Sequence, residues 1–253
     1  MILHIPHSAD KIPEHLRDQI VLSDDELTAE LLRMTDRYTD ELFAFPEVTI
    51  VRFPISRLFV DVERFHDNTR EPMSKVGMGV IYTHTADGKK LRRSLQSAEK
   101  RTLFEFYEKH HEMISKEVKT ELDKYGKALI VDCHSFPSHP LPCDNNQTTP
   151  RPDFCIGTDS FHTPLELRRI VEGILKKMGY SVGIDQPYNG TMVPMEFCGK
   201  DLRVESIMIE VNRSLYMDEI TGRKKDTFVA IKEQINTFLR SIIKYQQPTP
   251  PGF

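Results

Sequence analysis

Three stretches of this chain carry an apolar run onto a residue able to bind a metal or move a proton: His7 in HIPHS, His134 in LIVDCHS and Glu210 in IMIEVNR. Short uninterrupted apolar runs are what strands buried on both faces require, and such strands belong to parallel sheets covered by helices on either side. Open sheets of that kind form their ligand crevice beyond the carboxyl ends of the strands. The three residues therefore belong along one sheet edge.

Helical periodicities alternate with these runs. Ser23 followed by Glu26 is a capping-box pattern, and Leu27, Leu31, Met34, Tyr38 and Leu42 recur at helical spacing, predicting a helix from about 24 to 43. Segments 48–53, 58–62 and 79–82 are β-branched or aromatic runs between turn residues and read as strands. A long amphipathic pattern from about 90 to 124, closed by Gly126, predicts a second helix, and 128–131 reads as a doubly buried strand. Short strands near 154–156, 181–184 and 207–211 and helices from about 164 to 178 and 224 to 245 complete the order. Residues 136–152 hold five prolines and form a loop directly after His134, expected to wall an active site. The alternation predicts a three-layer α/β/α fold with a mixed, largely parallel sheet. One domain spans 1–253, with a loose proline-rich tail from about 246.

Composition narrows the class. The net charge of −4 is spread over 253 residues without a basic run, which argues against nucleic acid as a partner. No apolar stretch is long enough to span a bilayer, and the chain starts on strand-like Ile2-Leu3-His4-Ile5, so neither a membrane segment nor a secretion signal is read. Cys133, Cys143, Cys155 and Cys198 form no Cys-x-x-Cys pair and read as reduced thiols of a cytoplasmic protein. His110 and His111, adjacent in the long helical pattern, point about 100° apart and read as a solvated face.

The residues on the sheet edge suit a zinc hydrolase. Zinc accepts imidazole nitrogen and carboxylate oxygen, and a further carboxylate must take the proton of the attacking water. Four acids compete for the third ligand position: Asp10, three residues after His7; Asp36, on the first helical pattern with Asp40 one turn on; and Asp61 and Glu63, which as strand residues would share a face with Arg57.

The segments HIPHS (4–8), TDRYTDEL (35–42), SRLFVDVER (56–64), VDCHS (131–135) and IEVNRSLY (209–216) together resemble the N-formylglutamate amidohydrolase family, zinc-dependent amidases of the phosphorylase/hydrolase-like α/β fold. The resemblance implies His7, Asp36 and His134 as ligands of zinc or another divalent metal and Glu210 as general base. It also implies a small-molecule N-acyl amino acid as substrate, yielding formate and glutamate if that substrate is N-formylglutamate. Two positions depart from the family pattern: Ala9 stands for glycine and Glu63 for asparagine. Asp132 shares a strand face with His134, and it and Asp61 are expected to stand behind the ligands and orient an imidazole. Arg57, Arg64 and Arg213 suit an acidic substrate, because a guanidinium grips a carboxylate through two parallel hydrogen bonds. Arg57 is expected to steady the developing oxyanion as well, and Asn212 to bind the substrate backbone. Two alternatives stand beside this reading: another zinc amidase or carboxypeptidase-like enzyme of the same fold, and a binding protein that kept the fold.

Overall fold

The computed structural model describes residues 1–246. Its six strands are β1 (Ile2–Ile5), β2 (Thr49–Arg52), β3 (Ala128–Phe136), β4 (Phe154–Gly157), β5 (Val182–Ile184) and β6 (Val204–Asn212). They form one sheet in the order β2-β1-β3-β6-β4-β5. The first four in that order are parallel, whereas β4 runs antiparallel to β6 and parallel to β5. The helices are α1 (Asp24–Met34), α2 (Thr39–Leu42), α3 (Ser97–Tyr125), α4 (Leu165–Lys177) and α5 (Phe228–Gln246).

Strand alternation sorts β3 into two faces. Leu129, Val131 and Cys133 join Ile207, Ile209 and Val211 of β6 in a core closed by Leu167, Val171 and Leu175 of α4 and by Ile235, Phe238 and Leu239 of α5. Ile130, with Ile2 and Val204, packs on Ile114 and Val118 of α3. This second face is apolar only at its amino-terminal end. Further along it carries His4, Asp132, His134 and Glu210, all buried. These polar groups share the α3 side of the sheet, which completes the three-layer arrangement.

Five expected elements change. The first helix stops at Met34, because Thr35 turns extended and Asp36 N–H donates to His7 O at 3.0 Å. Tyr38 then adopts φ 67 before the single turn of α2. Segment 58–62 is buried but is not a strand: Arg92 Nη2 donates to Leu58 O (2.6 Å) and Phe59 O (3.3 Å), supplying the donors a neighbouring strand would have given. Its apolar residues belong to a second core with Leu16, Met78, Tyr82 and Leu103, and 79–82 is a turn in the same cluster. The long helix starts only at Ser97, capped by Gln96 and Glu99, since 91–93 pairs with 19–21. Likewise the last helix begins at Phe228, because Lys225 N–H is taken by Tyr216 O. The expected tail, from 247 onward, lies outside the described residues.

Candidate metal centre

The parallel register of β3 and β6 sets His134 directly beside Glu210, and the register of β1 and β3 sets His4 beside Asp132. His7 follows β1 by two residues, and its carbonyl anchors Asp36. Asp36 thus reaches the sheet edge from a helix end. The expected stacking with Asp40 on one helix face does not occur, and Asp40 instead pairs with Arg52 at 2.7 Å.

Five of the expected ligand candidates converge: His7, Asp36, Asp61, Glu63 and His134. His134 holds Asp36 Oδ2 on Nδ1 at 3.0 Å and faces Asp132 Oδ1 (3.1 Å) and Glu63 Oε2 (3.0 Å) with Nε2. His7 holds Asp61 Oδ1 on Nε2 at 2.8 Å, and its Nδ1 looks toward Glu63 Oε2 (3.5 Å) and Asp36 Oδ2 (3.8 Å). Donor atoms of His7, Glu63 and His134 lie within 4.8 Å of one another, as do those of His4, Glu63 and Asp132. Asp10 stays outside the cluster, at the surface with Arg37.

Some atoms in this dense network are left over. Among the described residues, His7 Nδ1 and Glu210 Oε2 are buried without a hydrogen-bond partner. Buried polar atoms are rarely orphaned unless an ion or water completes them. A neutral imidazole fixed by a carboxylate on its far nitrogen is the usual posture of a metal-bound histidine, so the residues fit a divalent cation.

Burial pushes the Glu210 carboxyl up to about 8, with the charge of Asp36 adding to the shift and those of His134, Arg213 and Arg57 opposing it. Asp61 behaves in the opposite sense. Burial disfavours its charge, but Arg57, His7 and Arg64 hold it well below the usual carboxylate range. It accepts from Arg57 Nη2 at 2.8 Å and Tyr82 Oη at 2.5 Å, with Arg64 Nε at 3.3 Å. Asp61 is fully buried, so removing it costs up to about 3–5 kcal/mol: His7 and Tyr82 stay buried without it, and the partly exposed Arg57 and Arg64 lose their counter-charge. Asp61→Ala is therefore expected to lower the melting temperature by roughly 6–20 °C in a thermal scan. A drop under about 3 °C would show that the arginines find other partners.

The four expected substrate contacts divide into two pairs. Arg57 and Arg64 keep partial exposure beside Glu63, at 15% and 22% of their side chains. Arg213 spends its donors on Arg33 O, Ser135 O and Oγ, and Asp36 Oδ1, the last at 2.9 Å. Asn212 donates to Pro152 O and accepts from Ser214. Arg213 and Asn212 therefore brace the cluster and the neighbouring loop.

His110 corrects an expectation: it is buried, and its Nε2 lies 2.8 Å from His4 Nε2. His111 binds Val62 O at 2.8 Å. A histidine on the solvated face of α3 would touch neither. Two further contributors carry little signal in the sequence. Tyr82 reads there as a strand end and His4 as part of an apolar strand, although a histidine in Ile-Leu-His-Ile is itself an anomaly. A cleft of about 610 Å³ beside α3 contains none of the clustered residues.

A family model described as N-formylglutamate amidohydrolase matches residues 1–217. N-formylglutamate deformylase of Pseudomonas aeruginosa is 24% identical over 257 residues, covering 97% of this chain and 93% of the relative. The enzyme of that name from Pseudomonas putida is 24% identical over 230 residues, covering 87% and 82%. The crystal structure of N-formylglutamate amidohydrolase from Ralstonia eutropha superposes with a TM-score of 0.84 at 22% identity, covering 96% of this chain and 92% of that one.

Proposed function

Because this chain belongs to the N-formylglutamate amidohydrolase family, we propose that it hydrolyses the amide of N-formylglutamate, or of a close N-acyl amino acid, to the carboxylic acid and the free amine. A divalent cation, zinc in the first instance, would be held by His7 Nδ1, Asp36 Oδ2 and His134 Nδ1. The observation that carries this choice is the set of far-side partners. With both Nδ1 atoms turned inward, His7 Nε2 rests on Asp61, His134 Nε2 on Asp132, and the second oxygen of Asp36 on Arg213. Every ligand is then oriented by a group behind it. A cation bound there supplies Lewis acidity, polarising the amide carbonyl and lowering the pKa of water from about 15.7 to roughly 7.

The remaining chemistry falls to the chain's own side chains. Glu210, adjacent to His134 on the sheet, takes the proton of the attacking water and returns it to the leaving nitrogen. Arg57 and Arg64, the exposed pair, face an anionic substrate, and Arg57 is the cation for the carbonyl oxygen as charge builds on it. Glu63 does not oppose such a substrate as a free acid, since its oxygens are taken up by His4, His7 and His134.

Formate release from N-formylglutamate, N-formyl-leucine and N-formyl-lysine by the metal-loaded protein tests the reading. The acidic substrate should have the highest kcat/KM, and equal rates would remove the acidic specificity. In Arg64→Met, KM for N-formylglutamate is expected to rise about 10- to 150-fold relative to N-formyl-leucine. That range corresponds to the roughly 1.5–3 kcal/mol of a charge-assisted hydrogen bond. An equal rise for both substrates would make Arg64 structural.

A further inference from the structure

Beside the three proposed ligands lie His4 and Glu63, to which the amidase reading gives no role, and Asp132, which enters it only as the group behind His134. His4 Nδ1 is 2.8 Å from Asp132 Oδ1 and 3.5 Å from Glu63 Oε1. Atoms bound to one ion at about 2.0–2.2 Å sit roughly 3 to 3.5 Å from each other; the His4–Glu63 separation falls in that range, the His4–Asp132 contact is a hydrogen bond, and one ligand atom of each of the three residues lies within 4.8 Å of the others. His4 is completely buried, and its Nε2 is occupied by His110, which leaves Nδ1 facing the carboxylates. Glu63 points in two directions: Oε1 faces His4, while Oε2 faces His7 and His134.

Charge compensation around the cluster is uneven. Asp61 is matched by Arg57 and Arg64, and Asp36 by Arg213. Among the described residues, neither Glu63 nor Asp132 has a lysine or arginine partner; their ion-pair partners are His4, His7 and His134. Once His7 and His134 serve a cation as neutral ligands, a single imidazole remains opposite the buried Asp132 and the partly exposed Glu63. Buried charges persist when they are paired or coordinate a metal.

We infer that this chain binds a second divalent cation next to the first, through His4 Nδ1, Asp132 and Glu63 Oε1, with Glu63 Oε2, 3.5 Å from His7 Nδ1, bridging to the first ion on the His7 side. One imidazole and two carboxylates suit a first-row ion such as Zn²⁺, Co²⁺ or Mn²⁺. The inference rests on the first site being that of His7, Asp36 and His134.

The test is equilibrium dialysis of the chelator-stripped, full-length protein against Co²⁺, read by elemental analysis and by the magnetic coupling of the bound ions. Two ions per chain with spin coupling are expected in the wild type. Glu63→Asn and Glu63→Gln, checked for folding by circular dichroism, should each retain one uncoupled ion. One ion in the wild type and one in Glu63→Asn would overturn the second site and leave the first intact. One ion in the wild type and none in a folded Glu63→Asn would make Glu63 a ligand of a single centre. No tightly bound ion in the wild type would remove both sites together. The wild-type count decides between one ion and two even if the variants fail to fold.

Discussion

Glu210→Gln is expected to keep the fold and the bound metal while turnover falls by about 10²- to 10⁴-fold, the range over which a general base contributes. The amide has the shape of the acid, and Glu210 Oε2 has no hydrogen-bond partner to lose. What disappears is the group that carries the proton from water to the leaving amine. Steady-state formate release and metal content on the same preparation separate this from loss of the ion. Turnover near wild type would exclude Glu210 as the base and point to Glu63. The same variant carries a pH effect in metal-free protein. The Glu210 pKa rises from 4.5 to about 8 on folding, so between those values the native state keeps a proton that the unfolded chain has released. Stability contributed by this group is present below pH 4.5 and is lost as pH rises toward 8. The Gln variant lacks that component, so its denaturant midpoint should fall less over the window.

His134→Ala should weaken divalent-metal binding by more than about 100-fold, beyond the 10- to 100-fold typical of losing a group behind a ligand. Activity should fall with it. His134 faces Asp36, Asp132 and Glu63 together within 3.1 Å, closer than His7 comes to Asp36 and Glu63. His7→Ala should act alike. Asp36→Asn decides the third ligand: it should lose the metal at this site if Asp36 is bound, whereas retention there with loss in Glu63→Asn would transfer the role to Glu63. Metal titration by calorimetry provides the affinities, and wild-type affinity in both histidine variants would refute the site.

The sheet and its edge are legible in the sequence because doubly buried strands and the polar residues at their ends leave strong local patterns. His134 and Glu210 can be paired before any register is known, since each follows an apolar run. Tertiary contacts, by contrast, override local periodicity. Tyr38 and Leu42 continue the helical spacing of α1, yet the chain breaks at Thr35 because His7 O and Arg213 capture the backbone around it. The apolar run 58–62 has the pattern of a strand, but Arg92, distant in sequence, satisfies its carbonyls. His110 faces inward because His4, on the far side of the sequence, awaits it. None of these partners can be read from neighbouring residues.

The antiparallel run of β4 has a steric consequence. β3 ends and β4 begins at the same end of the sheet, on opposite sides of β6, so the connection 137–153 must pass across the end of the strand that bears Glu210. That crossing is locked: Arg151 ties Pro137 O, Asn146 O, Asp144 and the Tyr188 hydroxyl together, and Asn212 holds Pro152 O. The span behaves as a lintel rather than a swinging door. On the proposed reading, a polypeptide laid across this threshold would have to uproot the buried Arg151 guanidinium, a demand that a single acylated amino acid would not make. Strand direction would then set a limit on substrate size before any specificity residue is chosen.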